Sequence, residues 1–341
     1  MTLKKLALMG LLALLAVLFT HFYMDTTYML PQSQVSFHAR LMITSPFVYR
    51  LLIPYVLGWV LPAGWLDAFS LKFAFSVASV WLTLYLMPAF TRRLCGLELK
   101  GARALALLGL VMAILVCHYC LPRPFMFYYI YDLPAIPFYM VAFLLLTRQV
   151  GVLSLAGVAF LLVASVNRET VVIALCHALA WHLVQLAQSA PPAQGGASCW
   201  SVWRPLLWQS AVALGLMALI RAFISHQIQA AGDGNAAFME GEHIRVLINI
   251  QRVLTQDLHA RALLLFGCGA LVWLPWGLMY MPRVLRWVAL SSLPPMLLLL
   301  VVGNMVELRI YGEFVPVLAV GLYAVLAALV ARFRPGTAAA T

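Results

Sequence analysis

Apolar stretches of roughly 15–20 residues, each long enough to span or nearly span the hydrocarbon of a bilayer, follow one another along almost the whole chain. They fall at about 5–23, 67–89, 103–119, 133–147, 151–166, 171–187, 206–224, 262–281, 286–303 and 314–331. A chain that is 64% hydrophobic and 10% charged has too little polar surface to cover a soluble globule. The expected fold class is therefore all-α, a polytopic membrane protein with about 10 transmembrane helices. The run 133–147 is short and carries Pro134 and Pro137, and 151–166 with 171–187 could form a broken or re-entrant pair.

Lys and Arg in short loops set orientation. With the N-terminus inside, the inner segments collect Lys4, Lys5, Arg92, Arg93, Lys100, Arg103, Arg148, Arg204, Arg283, Arg286, Arg332 and Arg334, twelve of the 22 basic residues. Of the eleven acidic residues, all but Glu98 then fall at or beyond the outer face. Both termini are expected inside. The chain reads as a single transmembrane domain over 1–335, with outer loops 25–66 and 225–261, an inner linker 188–204 rich in small and polar residues, and an inner tail 336–341.

The net charge of +11 is scattered as loop anchors, which fits orientation and contact with anionic membrane lipids and argues against nucleic acid as a partner. The first segment has a basic start and an apolar run but no small-residue cleavage site after Thr20-His21-Phe22-Tyr23-Met24-Asp25, so an uncleaved anchor is expected. Cys117 and Cys120, three apart near an outer helix end, favour neither a disulfide nor a metal site by themselves and read as packing residues. No HExxH, GxSxG or Walker loop is present, which argues against soluble nucleotide chemistry.

The two long outer loops carry helical patterns of their own. In the first, Pro46 to Pro54 with Tyr49 and Arg50, followed by Trp59 and Trp65, reads as a helix in the outer interface; an eleventh span would violate the basic-residue bias. In the loop 225–261, the fourth outer loop, the apolar residues from Ile244 to Leu258 suggest an amphipathic helix resting on the membrane, either as a plain connector or as a lid over an outer cavity.

Ionisable groups near hydrocarbon cost about 2.5–3.5 kcal/mol each at a helix centre and persist mainly where they pair or line a cavity. Four clusters stand out. Asp25 follows the first span and can serve as a general base at the membrane edge or simply mark a helix end. Arg123 precedes Tyr128, Tyr129, Tyr131 and Asp132; the tyrosines fit an aromatic belt, and Asp132 can cap a helix or bind a ligand.

In Asn167-Arg168-Glu169-Thr170 the adjacent Arg and Glu point to different helix faces and need separate partners. That segment is either an ion-pair network holding helices together or an arginine aimed at a phosphate, with Glu169 fixing its orientation. In Glu307-Leu308-Arg309 with Tyr311 and Glu313, Arg309 and Glu313 are four apart and can pair on a helix, or Arg309 can reach a phosphate. Lys72 and Arg221 are the two cations inside apolar runs, and both are expected to snorkel outward.

Taken in order, Asp25, the stretch Pro46-Phe47-x-Tyr49-Arg50-Leu51-Leu52-x-Pro54, Tyr131-Asp132-Leu133-Pro134, Arg168-Glu169-Thr170 and Glu307-Leu308-Arg309 resemble the GT-C class of membrane glycosyltransferases, especially its small bacterial members. The resemblance spans most of the chain through short motifs. Two features depart from it: many members carry paired acids where this chain has Asp25 alone, and there is no soluble C-terminal domain. It implies a protein of the bacterial inner membrane with its site facing the periplasm. The donor would be a polyprenyl-phosphate-linked sugar and the acceptor a glycan or a lipid. By position Asp25 would be the base, while Arg50, Tyr49, Arg123, Tyr131, Asp132, Arg168, Glu169, Glu307, Arg309 and Glu313 would bind substrate. No cofactor is demanded, and a divalent cation is compatible. A transporter or flippase for a lipid-linked or anionic solute, and a polymerase or ligase of lipid-linked O-antigen, are the competing readings.

Overall fold

The computed structural model describes residues 3–27, 50–60, 67–120, 128–189, 199–230, 246–255, 277–302 and 308–333. These residues are helical apart from short turns, with no strand among them. In chain order the helices are α1 (Leu3–Thr26), α2 (Leu52–Val60), α3 (Ala68–Cys95), α4 (Ala102–Tyr119), α5 (Asp132–Leu146), α6 (Leu155–Asn167), α7 (Ile173–Ser189), α8 (Cys199–Ala230), α9 (Val246–Thr255), α10 (Arg283–Leu290), α11 (Leu293–Val302) and α12 (Val315–Phe333). Short 3-10 turns at Glu169–Val172 and Leu308–Phe314 lead into α7 and α12.

Six of the described segments are long and apolar enough to cross a membrane: Lys5–Thr26, Ala68–Cys95, Ala102–Tyr119, Glu169–Ser189, Trp203–Gln227 and Tyr311–Arg332. Large apolar side chains stand exposed along them, including Leu14, Leu18 and Phe22 on α1 and Trp208, Leu219 and Phe223 on α8. That outward apolar surface needs lipid, and the protein is a multi-pass helical membrane protein. The part of the expected run 262–281 before residue 277 lies outside the described residues, as does most of the linker 188–204.

The expected single run 286–303 is instead two short helices, α10 and α11, broken at Ser291–Ser292. The cause is Pro294-Pro295: neither has an N–H to give to the preceding turn, but both are tolerated in the first turn of a new helix. Of the segment read as an interfacial helix or an eleventh span, residues 52–60 form the nine-residue α2, and residues 46–49 and 61–65 lie outside the described residues. In α9 the exposed Leu247, Ile250 and Leu254 fall on one face, the pattern expected of a membrane-resting helix.

Helix α5 lies at the centre. It packs against α3, α6, α7, both 3-10 turns and α12, and it is buried on nearly every side, from Asp132 and Leu133 to Tyr139, Phe143 and Leu146. Around it α1 lies on α3, α12 on α4, and α10 on α7. Inside the bundle Tyr139 Oη lies 2.6 Å from His177 Nδ1, and His177 Nε2 lies 2.8 Å from Ser292 Oγ. This polar bridge ties α5 and α7 to the break between α10 and α11.

Helices α5 and α6 are short. At 1.5 Å per residue their 15 and 13 residues reach only about 22 and 20 Å, against about 30 Å of hydrocarbon. At one end Arg148 is exposed and marks water. Measured from there, Asp132 at the far end of α5 and Arg168, the residue after α6, lie within less length than a straight span of about 30 Å would need.

The α5–α6 contact depends on close backbone approach. Ser154 caps α6 by accepting from Gly157 N at 3.0 Å while donating to Leu145 O at 2.7 Å. A Cβ on Gly157 would lie 2.7 Å from Leu146 N and 2.9 Å from its Cα, contacts that backbone atoms cannot relieve cheaply. Gly157→Ala is expected to cost about 1–3 kcal/mol by overpacking. Gly109→Ala, where nothing lies within 4 Å, should instead gain about 0.5–1 kcal/mol of helix propensity. Thermal unfolding in detergent reads the difference, and equal melting temperatures for the two variants would contradict the close-contact account.

Candidate functional site

Residue 168 breaks the helical path: Arg168 is extended at φ −158°, ψ 131°, between the end of α6 and the 3-10 turn that starts α7. That single extended residue turns its side chain into the bundle. Arg168 and Asp132 are each 2% exposed and Glu313 is 0% exposed. The guanidinium meets Asp132 Oδ1 from Nη1 at 3.3 Å and Glu313 Oε1 from Nε at 3.6 Å. Thr170 Oγ1 donates a further short hydrogen bond to Glu313, and Asn167 Nδ2 donates to Tyr131 O at 3.2 Å, fixing the end of α6 against the start of α5.

Glu169 faces the other way. Its Oε1 lies 3.3 Å from Arg50 Nη2 and its Oε2 lies 3.2 Å from Arg221 Nη2. This outer half is more open: Arg50 is 13%, Arg221 25% and Glu169 44% exposed. Arg50 also lies over the Tyr131 ring, 4.5 Å from its centroid, and the amide of Leu51 donates to Val166 O at 3.0 Å, seating the start of α2 on the end of α6. Burial opposes the Arg50 charge, but Tyr131, Glu169 and Asp132 outweigh it and hold the pKa of the guanidinium above its ordinary value.

Three carboxylates, Asp132, Glu169 and Glu313, thus face three guanidinium groups, Arg50, Arg168 and Arg221, giving a formally neutral network of an inner and an outer half. Arg168 is enclosed by acids and is not presented to a ligand. It positions the inner carboxylates. The outer half is more accessible, with two arginines sharing one half-exposed carboxylate.

The structure brings together Arg50, Tyr131, Asp132, Arg168, Glu169 and Glu313. Asp25 stands apart: its carboxylate is 62% exposed and lies 3.5 Å from His21 Nε2, one turn earlier on α1. Tyr49, Arg123 and Glu307 lie outside the described residues, and of Arg309 only the backbone is described.

Several sequence expectations change. The pairing of Glu313 with Arg309, one of the two readings of this segment, assumed a helix; the segment is a 3-10 turn, where residues three apart eclipse, and Glu313 points to Arg168 and Thr170. Tyr128, Tyr129 and Tyr131 are 0–3% exposed rather than an aromatic belt. Tyr128 packs on Tyr23 at 5.5 Å, and Tyr129 stacks on Tyr131 at 5.4 Å.

The two cations inside apolar runs differ. Lys72 is buried with its Nζ 5.1 Å from the Tyr128 ring centroid, and Arg221 engages Glu169. Arg221 and Thr170 are the members of the network that the sequence reading left without a role. The available signal for Arg221 was a lone arginine one helix away from an acid whose neighbour, Arg168, could not serve it.

Gly312 marks another close approach. A Cβ there would collide with the Tyr119 hydroxyl, so a larger residue in the turn before α12 would have to displace that side chain at the end of α4. Among the described residues no three His, Cys, Asp or Glu side chains converge as metal ligands would. Set against protein-family models, curated proteins and solved structures, the chain matches none.

Removing Arg168 would strand two buried carboxylates. Arg168→Ala is expected to cost about 3–5 kcal/mol, the penalty of breaking a buried ion pair, and Arg168→Lys should recover only part of it because one ammonium cannot reproduce the planar fork. Glu169→Gln, at a half-exposed pair, should cost under about 1 kcal/mol. Melting curves of the three variants in one detergent check the ranking; an Arg168→Ala protein as stable as Glu169→Gln would show that the inner cluster is not held by its charges.

Proposed function

We propose that the protein is a membrane glycosyltransferase that moves a sugar from a polyprenyl-phosphate lipid to a glycan or lipid acceptor at the periplasmic face of the bacterial inner membrane, with both termini cytoplasmic. The observation that carries the proposal is the outer half of the network. Arg50 and Arg221 converge on one half-exposed carboxylate at the Arg168 end of the bundle, 3.3 and 3.2 Å from its two oxygens. A phosphate held at the membrane edge by its lipid tail is a ligand that two arginines at that depth would recognise, and they would stabilise the charge developing on the leaving phosphate.

In this mechanism the acceptor hydroxyl oxygen attacks the anomeric carbon as the carbon–oxygen bond to phosphate breaks. The electron pair leaves with polyprenyl phosphate, the hydroxyl proton passes to Asp25, and the configuration inverts. Asp25 suits the role in being accessible, at 62% exposure. It belongs to the same end of the bundle, because Tyr23 on α1 packs at 5.7 Å on Tyr119 and at 5.5 Å on Tyr128. Arg168, Asp132 and Glu313 serve here as positioning residues. A transporter or flippase for the same class of lipid is the second reading, favoured by one observation: Lys72 and the inner three charges are buried within the bundle.

Purified protein presented with radiolabelled polyprenyl-phosphate sugars and envelope glycan acceptors is expected to transfer the sugar. Asp25→Asn should lower turnover by about 10²–10⁴-fold, the usual contribution of a general base. Arg50→Gln and Arg221→Gln should raise KM for the lipid donor. Full turnover by Asp25→Asn removes that residue from the chemistry. Absence of transfer from every donor, together with donor movement between liposome leaflets, would replace the enzyme with the flippase.

A further inference from the structure

The end of the bundle opposite Arg168 holds a second polar site, independent of the glycosyltransferase reading. Where α3 and α7 end and α10 begins, a cavity of about 530 Å³ is lined by Arg92, Arg93, Arg283, Gln185, Gln188 and Trp181 among others, and no acidic residue lies among the described residues of its wall. Its volume falls in the range of small-ligand sites.

Part of that wall is rigid. The Arg93 guanidinium donates to Thr147 O at 2.7 Å and lies 5.4 Å from the Trp181 ring centroid, while the Trp181 indole N–H donates to Arg93 O at 3.1 Å. Arg92 and Arg283 are exposed at the rim. Glu98 lies near Arg92 but is paired with Lys100 at 3.0 Å. Helix α10 starts at the cavity wall, with Pro282, Arg283 and Val284 in the lining, and its first turn has no side-chain cap. Three arginines, two carboxamides and an uncapped helix start form a donor set for an oxyanion.

The neighbouring surface indicates where such an oxyanion comes from. A groove of about 420 Å³ between α1, α3 and α4 is walled mainly by apolar residues such as Leu8, Leu12, Leu84 and Leu108, with the Glu98–Lys100 pair also in its lining, and Ala89 and Arg92 line both it and the cavity. An apolar trough that meets a cationic cavity at one arginine matches an amphiphile, with its head in the cavity and its chain in the groove. We propose that this juxtaposition binds the phosphate headgroup of an anionic membrane lipid.

Native mass spectrometry of the purified full chain tests this with three probes: phosphatidylglycerol, the uncharged diacylglycerol, and glycerol 3-phosphate as a chainless phosphate ester. The wild type should retain phosphatidylglycerol over diacylglycerol. The Arg92→Gln/Arg283→Gln pair should lose that retention on the order of tenfold, as expected for two cations near a lipid phosphate. The charge-matched pair Arg148→Gln/Arg332→Gln, outside the cavity, should keep it. Each single variant should show an intermediate loss, which keeps the test informative if the double variant elutes as aggregate in size exclusion. Glycerol 3-phosphate binding as tightly as phosphatidylglycerol would keep the phosphate site but reassign it to a soluble ester. Equal phosphatidylglycerol retention by the wild type and the cavity variants, or equal loss in the control pair, overturns the site.

Discussion

A guanidinium that is 2% exposed, held inside an apolar bundle between two carboxylates, sets the terms for the rest of this structure. Hydrocarbon offers no water to solvate Arg168, so its partners must come from the protein, and they come from distant parts of the chain: Asp132 at the start of α5 and Glu313 in the turn before α12. One side chain therefore fixes the relative height of three elements. The extended backbone at 168 makes this possible, because it sends Arg168 inward and Glu169 outward from adjacent positions. The two halves then differ in character. The inner one is closed and structural, and the outer one is half-open and built from Arg50, Glu169 and Arg221.

The central helix provides the setting. Because α5 is surrounded by other helices, Asp132 at its start is closed off from solvent, and α5 and α6 are both short. A cluster flanked by longer helices such as α1, α3 and α8 is a place where a polar group brought in by a lipid would find donors without leaving the bilayer. The cavity at the other end differs in having cations and, among the described residues of its wall, no acid. The molecule thus carries two polar sites of different charge character, one at each end of α5.

Much of this was legible in the chain itself. Hydropathy located the helices, since a run of apolar residues long enough to cross lipid has few other folds open to it. The residues of Asn167-Arg168-Glu169-Thr170, with Asp132, Arg50 and Glu313, stood out because charges beside hydrocarbon are costly. Their partners did not stand out. Which acid an arginine meets depends on how helices pack, and Glu313 looked like a partner for Arg309 only on the assumption of an α-helix where a 3-10 turn forms. Tyrosines 128, 129 and 131 were ambiguous because an amphipathic ring suits both a membrane interface and a core with an arginine to cover. The break at Ser291–Ser292 was the opposite case: Pro294-Pro295 announced it locally, and the apolar run masked it.

The order in which the inner cluster is completed has a meaning for biogenesis. The ribosome delivers Asp132 first, Arg168 next and Glu313 after both. Once α5 to α7 have left the translocon, Asp132 and Arg168 can neutralise each other, so the half-made protein carries no uncompensated charge at that point. The second carboxylate arrives with the segment that leads into α12 and takes its place beside Arg168 and Thr170. A chain interrupted before residue 313 would hold the Asp132–Arg168 pair with one flank of the guanidinium open.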